Sequence, residues 1–463
     1  MPMSTPADPI IPVRERDFRV AIVGGGICGL LCAIGLTKGG FKVDIFESAS
    51  KYGEVGAGVG IGPNAVRVLK ALGVLDKVIA HSDDSGPTMR SFRFIYGTGE
   101  SETVYTYPTK ERDLGLGIHR AALLDGLIET LDTARAQTHF DKRCISIADG
   151  ADEHKHRYTL HFADGTTHAA DIVLGADGIR STVRRFVVGD AVAERALVYT
   201  NTVAYRGLID AKRLVELGVK TELTPLPICW IGESKHMITF PIKNNTTINV
   251  VAFVSDLTRP IGSTALPPGT PWVTPVPQEE LLEQYADWGA DAQHILRCLE
   301  QPSKWSIHGV YPQLEHYVRG RVAVLGDAAH GMLPHLGAGV GQGIEDVYVL
   351  TRLLCHAQTT VTNVEAVLNV YNDVRVPRAT FVSRESKRAG DIYDGHGESG
   401  ASPDGVRGDI GLMWEKVWHH DLEADVQSAV RSLQAQGVFK KEKEMRRKKV
   451  SGLVKRVLAF FKV

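Results

Sequence analysis

Cysteine is scarce in this sequence and never paired. Its six cysteines (Cys28, Cys32, Cys144, Cys229, Cys298 and Cys355) include no CxxC spacing. That excludes a disulfide framework or a zinc ribbon and points to a reducing, cytoplasmic setting, with no metal site indicated. Charge of one sign is lacking too: 53 basic against 54 acidic side chains leave a net charge of -1, so the surface as a whole has no general attraction for nucleic acid. Long hydrophobic runs are also missing. The one uncharged stretch of 17 residues, Val20 to Leu36, is interrupted by Gly24, Gly25, Gly26 and Gly29. It reads as a buried strand, a glycine turn and a helix rather than a membrane span or signal segment. No repeat at solenoid period is evident.

Glycine, by contrast, is abundant. Of 47 glycines in 463 residues, 12 lie between Gly24 and Gly62 and 6 between Gly326 and Gly343, while the remainder of the chain carries an ordinary share of about 7%. The first cluster contains GxGxxG, spelled Gly24-Gly25-Gly26-Ile27-Cys28-Gly29. It follows the apolar run Phe18 to Val23 and opens a helical pattern over Leu30 to Lys38; a second strand, Phe41 to Phe46, leads to Glu47. A βαβ unit of this kind brings backbone close to a pyrophosphate at a helix N-terminus, and the acidic residue accepts hydrogen bonds from a ribose. Gly24, Gly26, Gly29 and Glu47 are therefore candidate dinucleotide contacts. Helical period recurs over Val59 to Leu75 and Ala121 to Leu131, and strand patterns over Tyr158 to Phe162 and Ile172 to Gly175. Between about Arg195 and Pro302 the character shifts to short β-like runs (Thr202 to Leu208, Met237 to Ile242, Thr247 to Val254) and a loop with six prolines from Pro260 to Pro277. Arg321 to Leu325 is again a buried strand, and a helix is expected from Gly343 to His356.

Two further segments separate FAD from NAD as the resident dinucleotide. LGADGIRS (Leu174 to Ser181) and LGDAAHGMLPHLGAGVGQG (Leu325 to Gly343) resemble the DG and GD motifs of single-component flavin-dependent aromatic hydroxylases. The resemblance implies that Asp177 and Asp327 contact FAD, Asp327 at the ribityl chain, and that Gly337 to Gly343, with Gly339 and Val340, packs on the isoalloxazine ring. Arg120 in GIHRAALL and Gly58 at the end of EVGAG match other FAD-contacting positions. NVVAFVSD (Asn249 to Asp256) and the late YNDVRVPRA and WHHDLEAD stretches narrow the resemblance to salicylate hydroxylases, over nearly all of residues 18 to 430. It implies an α/β (α+β) architecture: a Rossmann-like FAD-binding domain (18–194 and 303–370) interrupted by a β-sheet substrate domain (195–302). A flexible leader (1–17), a helical C-terminal region (371–439) and a basic tail (440–463) complete the chain.

The implied activity is oxidative decarboxylation of salicylate to catechol with NADH or NADPH and O2, through a flavin hydroperoxide. Such chemistry needs no nucleophilic triad, only a base for the phenol, a cation for the acid and exclusion of water. His236 and His335 are the candidate bases. Arg206, in VAYRGLI, is the candidate anion holder, since related fungal aromatic hydroxylases use arginine in an AYR context, and Pro334 is placed beside the substrate. The family pattern carries arginine directly after the SD of NVVAFVSD; here Leu257 stands there, and Arg259 is the nearest replacement. A rival reading is therefore a secondary-metabolite aromatic hydroxylase or epoxidase. Residues 440–463 hold ten Lys/Arg and two Glu, with Val454, Val457, Leu458 and Phe461 on one helical face. This suits either a solvated terminal helix or peripheral contact with an anionic membrane.

Overall fold

A computed structural model describes residues 16, 18–53, 58–82, 86–89, 91–150 and 157–441. Glu54 to Ala57 and nearly all of the basic tail, 442–463, lie outside the described residues, as does nearly all of the 1–17 leader.

The apolar run Val20–Val23 is buried at every position and lies between two parallel neighbours, Val43–Phe46 and Ile172–Gly175. A strand covered on both faces must be apolar throughout, which is why its sequence does not alternate. The sheet it centres has six strands, in the order 318–319, 322–324, 172–175, 20–23, 43–46, 136–139; only the first pair is antiparallel. The glycine turn leaves the C-terminal end of the central strand and enters the helix Ile27–Lys38, the end of a doubly wound sheet at which ligands bind.

The second sheet has eight strands, in the order 273–275, 303–310, 197–210, 247–255, 235–242, 228–231, 93–96, 103–106. It draws on segments either side of 195–302, since 93–106 and 303–310 both pair into it. Strand alternation gives it two faces. Tyr205, Trp230, Met237 and Ala252 point to the back, onto Leu281 and Ile295 of the helices Gln278–Gln284 and Ala290–Arg297 and onto Tyr285, the C-cap of the first. Phe94, Cys229 and Ile231 point forward, onto Leu336 and Ala338 of the second glycine segment and Val382, Ile392 and Tyr393 of a 30-residue helix, Val364–Tyr393.

Two expectations are revised. The 59–75 pattern is a strand, Gly58–Ile61, followed by a helix Pro63–Ala71, because Pro63 is suited to the first helical turn. The second glycine segment becomes helical at Gly339 rather than Gly343, giving the helix Gly339–Leu354. No helix among the described residues is long and apolar enough to cross a membrane.

Candidate active site

The GxGxxG glycines do two different jobs. A Cβ on Gly29 would lie 1.9 Å from the carbonyl oxygen of Gly24, so residue 29 is glycine because helix and strand touch there. Gly26, at the helix N-cap with extended backbone (φ -75°, ψ -171°), has nothing of the protein within 4 Å of where its Cβ would be. The space is a cradle that a Cβ would fill. No side chain caps this helix and its first turn holds no acid, so its N–H groups stay open to an anion. The Glu47 carboxylate stands at the end of the adjoining strand, accepting from Gly25 N and Ala49 N at 2.8 Å each. The helix Gly339–Leu354 repeats the pattern: no side-chain cap, no acid in its first turn, and open space around the Gly337 Cβ position. Gly339 and Val340 form that first turn, and Val340 packs on the core beneath.

Asp327 opens a short helix, Asp327–His330, with its side chain exposed. Arg120 begins the helix Arg120–Thr130; burial lowers its pKa, and the charge of nearby Asp327 opposes this. Gly58 lies against the second sheet, where its missing Cβ would meet Phe240 at 3.0 Å. Asp177 follows the strand Ile172–Gly175. Its carboxylate accepts from Ser181 Oγ (2.5 Å), Thr182 N (2.7 Å) and Val183 N (3.1 Å), so it shapes the start of the helix Thr182–Val188. Two open helix N-termini, a vacant Cβ position and an exposed Asp327 fit the pyrophosphate, ribityl and ring of FAD.

Beneath the second helix is a buried ionic network. Asp346 accepts from Gly326 N (2.8 Å), His330 Nε2 (2.6 Å) and Arg375 Nε (2.7 Å), while Glu345 binds Asn64, Arg375 and Arg378. Burial alone would raise the Glu345 carboxyl; Arg375 and Arg378 outweigh it and hold it at about 2. His330 is thus a structural tie between the two helices that frame the glycine segment.

The forward face of the eight-stranded sheet carries several buried polar groups. His236, Phe253 and Ala204 are register partners, and so are Ile238, Val251 and Arg206. Arg206 is held over Trp305, 5.0 Å from the ring centroid, and its Nε is buried without a partner; burial, then the like charge of Arg120, lowers its pKa. Asn249, two residues along the same face, is 1% exposed with Nδ2 unpaired. Both are donors that no protein acceptor satisfies, a costly state for buried groups unless a ligand completes it.

The two candidate histidines meet. His335 Nδ1 lies 3.2 Å from His236 Nε2, and His236 Nδ1 lies 2.6 Å from Asp394 Oδ1, with His236 0% and Asp394 2% exposed. Burial, then the neighbouring His236, pushes the His335 pKa down to about 3, so its ring is neutral in the physiological range. Pro334 is exposed at a turn closed by Gly337 N to Pro334 O, 2.9 Å. The Arg259 side chain is 60% exposed and pairs with Asp256 at 3.1 Å. Asp394 carries no local sequence signal, and although Asn249 opens NVVAFVSD, nothing in that stretch marks its side chain as a donor. Asp394 is 158 residues from the histidine it binds, so only the folded chain reveals it.

A Rossmann-like unit that fits a flavin dinucleotide, faced by a sheet with buried, unpaired polar groups, is the arrangement of a flavin-dependent monooxygenase. The family model for the FAD binding domain matches residues 17–386, and the chain belongs to that family. It is 38% identical over 423 residues to a salicylate hydroxylase of Pseudomonas putida, covering 90% of this chain and 95% of the relative. It is 34% identical over 417 residues to a 6-methylsalicylate 1-monooxygenase of Aspergillus terreus, covering 87% and 88%. A solved salicylate hydroxylase substrate complex superposes with a TM-score of 0.78 at 32% identity, covering 89% of this chain and 98% of that one. This chain is accordingly an FAD-dependent monooxygenase of the salicylate hydroxylase kind.

Proposed function

We propose that this monooxygenase hydroxylates a phenolic aromatic acid, salicylate in the first instance. Salicylate, NADH or NADPH, O2 and two protons give catechol, CO2, water and the oxidised nicotinamide. The observation that carries the reading is the hydrogen-bonded His335–His236 pair on the sheet face that also presents Arg206 with a buried, unpaired Nε. FAD, when bound, supplies the electron transfer to O2 and the oxygen transfer to the ring.

The chain's own residues do the rest. Gly26, Glu47, Arg120, Asp327 and the first turn at Gly339 hold the dinucleotide. Arg206 holds the substrate carboxylate, a charge-assisted bond strengthened by its dry surroundings. Asn249 Nδ2 adds a donor. His335 Nε2 takes the hydroxyl proton, which raises the electron density of the ring at the carbon to be oxygenated. Phe94, Ile238 and Phe253 line the same face and exclude water. The surface position of Arg259 leaves the carboxylate to Arg206, and with Leu257 it favours a second reading, in which the preferred ring is a larger phenol of secondary metabolism.

A substrate panel with product identification separates the two. Catechol and CO2 from salicylate, matched to NAD(P)H consumed, is the expected result. Consumption matched by hydrogen peroxide alone, with turnover of bulkier phenols, supports the second reading.

A further inference from the structure

The long helix Val364–Tyr393 and its C-cap Asp394 present Ser386, Gly390 and Asp394 at i, i+4 and i+8, which places all three on one side. Each touches the histidine pair or the loop that carries it. Ser386 Oγ accepts from Leu336 N (3.2 Å) and donates to Leu333 O (2.6 Å), bracketing Pro334 and His335. A Cβ on Gly390 would lie 2.5 Å from His335 Cδ2 and 2.8 Å from its Nε2. Glycine inside a helix is less stable than alanine, and the space for the His335 ring is the reason it is there. Asp394 grips His236 Nδ1. Gly390 and Asp394 lie beyond residue 386, where the family match ends.

We propose that Ser386, Gly390 and Asp394 form a positioning rail for the histidine pair, with Asp394 deciding which nitrogen of each ring carries its proton. The proposal rests on the phenol-deprotonating role given to His335 above. A carboxylate only accepts, so His236 carries its proton on Nδ1; its Nε2 then accepts from His335 Nδ1–H, and the free lone pair of the pair is His335 Nε2. When the phenolic O–H breaks, a bond to His335 Nε2 forms, and the His335 Nδ1 proton passes to His236 Nε2. His335 ends neutral in its other tautomer, and His236 ends as an imidazolium against the Asp394 carboxylate. No electrons are transferred.

The surroundings agree with that direction. Burial, His236 and Lys387 on the long helix disfavour a cation on His335, and the Asp394 carboxylate offsets them only in part, while Asp394 Oδ1 itself lies 2.6 Å from His236 Nδ1. Cys229 from the sheet, Tyr285 from behind it and Tyr393 on the helix also face the group; burial raises all three well above their ordinary values, so they stay neutral. Tyr285 Oη donates to the Phe253 and His236 carbonyls, at 2.6 and 3.1 Å, fixing the backbone beneath the ring.

The test uses the full-length, FAD-loaded protein. Nitrogen NMR of labelled histidines, with His236→Gln for assignment, should show His236 protonated at Nδ1; protonation at Nε2 would overturn the rail whatever the substrate proves to be. Asp394→Asn should keep its FAD, lose about 10- to 100-fold in kcat with salicylate, and shift the acid limb of the kcat profile to lower pH. The loss should shrink with a ring-nitrated salicylate, whose hydroxyl is more acidic. An equal loss on both substrates with an unmoved acid limb would make Asp394 merely structural and refute the proposal. Gly390→Ala, which displaces the His335 ring, should reproduce the kinetic defect without loss of FAD. A wild-type protein that hydroxylates no phenolic acid would instead overturn the proposed function, and the NMR result would still decide the proton order.

Discussion

Alanine at Gly26 and at Gly29 should produce opposite failures. Gly26 has extended backbone that any residue adopts and no protein atom within 4 Å of its Cβ position; alanine there costs about 1 kcal/mol as a poorer N-cap. The added methyl fills the space over the open helix N-terminus, and losing even one or two charge-assisted N–H bonds to pyrophosphate removes about 3 kcal/mol, on the order of 100-fold in FAD affinity. At Gly29 the methyl meets a backbone oxygen at 1.9 Å. Backbone cannot rotate away, so the helix must move off the strand, at about 3 kcal/mol or more. The assay is a pair of measurements on apo-protein: thermal midpoint, and FAD binding followed by flavin fluorescence. Gly26→Ala should lower its midpoint by no more than about 2 °C and lose FAD, whereas Gly29→Ala should lose several degrees even without FAD. Gly26→Ala with unchanged FAD affinity would refute the cradle.

Other expectations follow from the same geometry. Arg206→Ala should raise the Kd for salicylate about 10- to 100-fold, the worth of a hydrogen bond to a charged group, with FAD content unchanged; equal substrate affinity would remove Arg206 from the site. Arg375→Met leaves Glu345 and Asp346 buried with one partner fewer, and should destabilise by about 3–5 kcal/mol in urea unfolding; a neutral effect would mean the network relaxes. His335 is held near 3 in the folded chain against 6.5 for an ordinary histidine. The unfolded chain therefore binds the extra proton first as pH falls, and stability present above 6.5 is lost down towards 3, by about 1.4 kcal/mol per pH unit. His335→Gln should flatten that slope relative to wild type; parallel slopes would contradict a neutral buried ring.

What the sequence disclosed was what local spacing controls. The buried strand before Gly24, the turn, the helix and Glu47 follow from hydrophobic run, glycine spacing and period. The expected strands 202–208, 237–242 and 247–254 fall inside the strands 197–210, 235–242 and 247–255. The helix from Gly339 was hidden because Gly339, Gly341 and Gly343 are poor helix formers; burial from Gly341 to Leu354 overrides propensity there. Nothing near Arg93 announces that 93–96 pairs in parallel with 228–231. His236 and His335 each stand out for proton chemistry, yet their meeting, and the carboxylate of Asp394 behind them, are products of tertiary packing. Arg259 looked apt by position alone and is drawn off by a partner three residues before it.

The fate of oxygen tests the proposed hydroxylation most directly. FAD-loaded protein is supplied with salicylate, NADH and isotopically labelled O2, and the products are weighed. The expected products are catechol carrying one labelled oxygen atom, one CO2 for each NADH consumed, and water carrying the second label. NADH consumption with all of the label in hydrogen peroxide, across salicylate and its ring-substituted relatives, would contradict it.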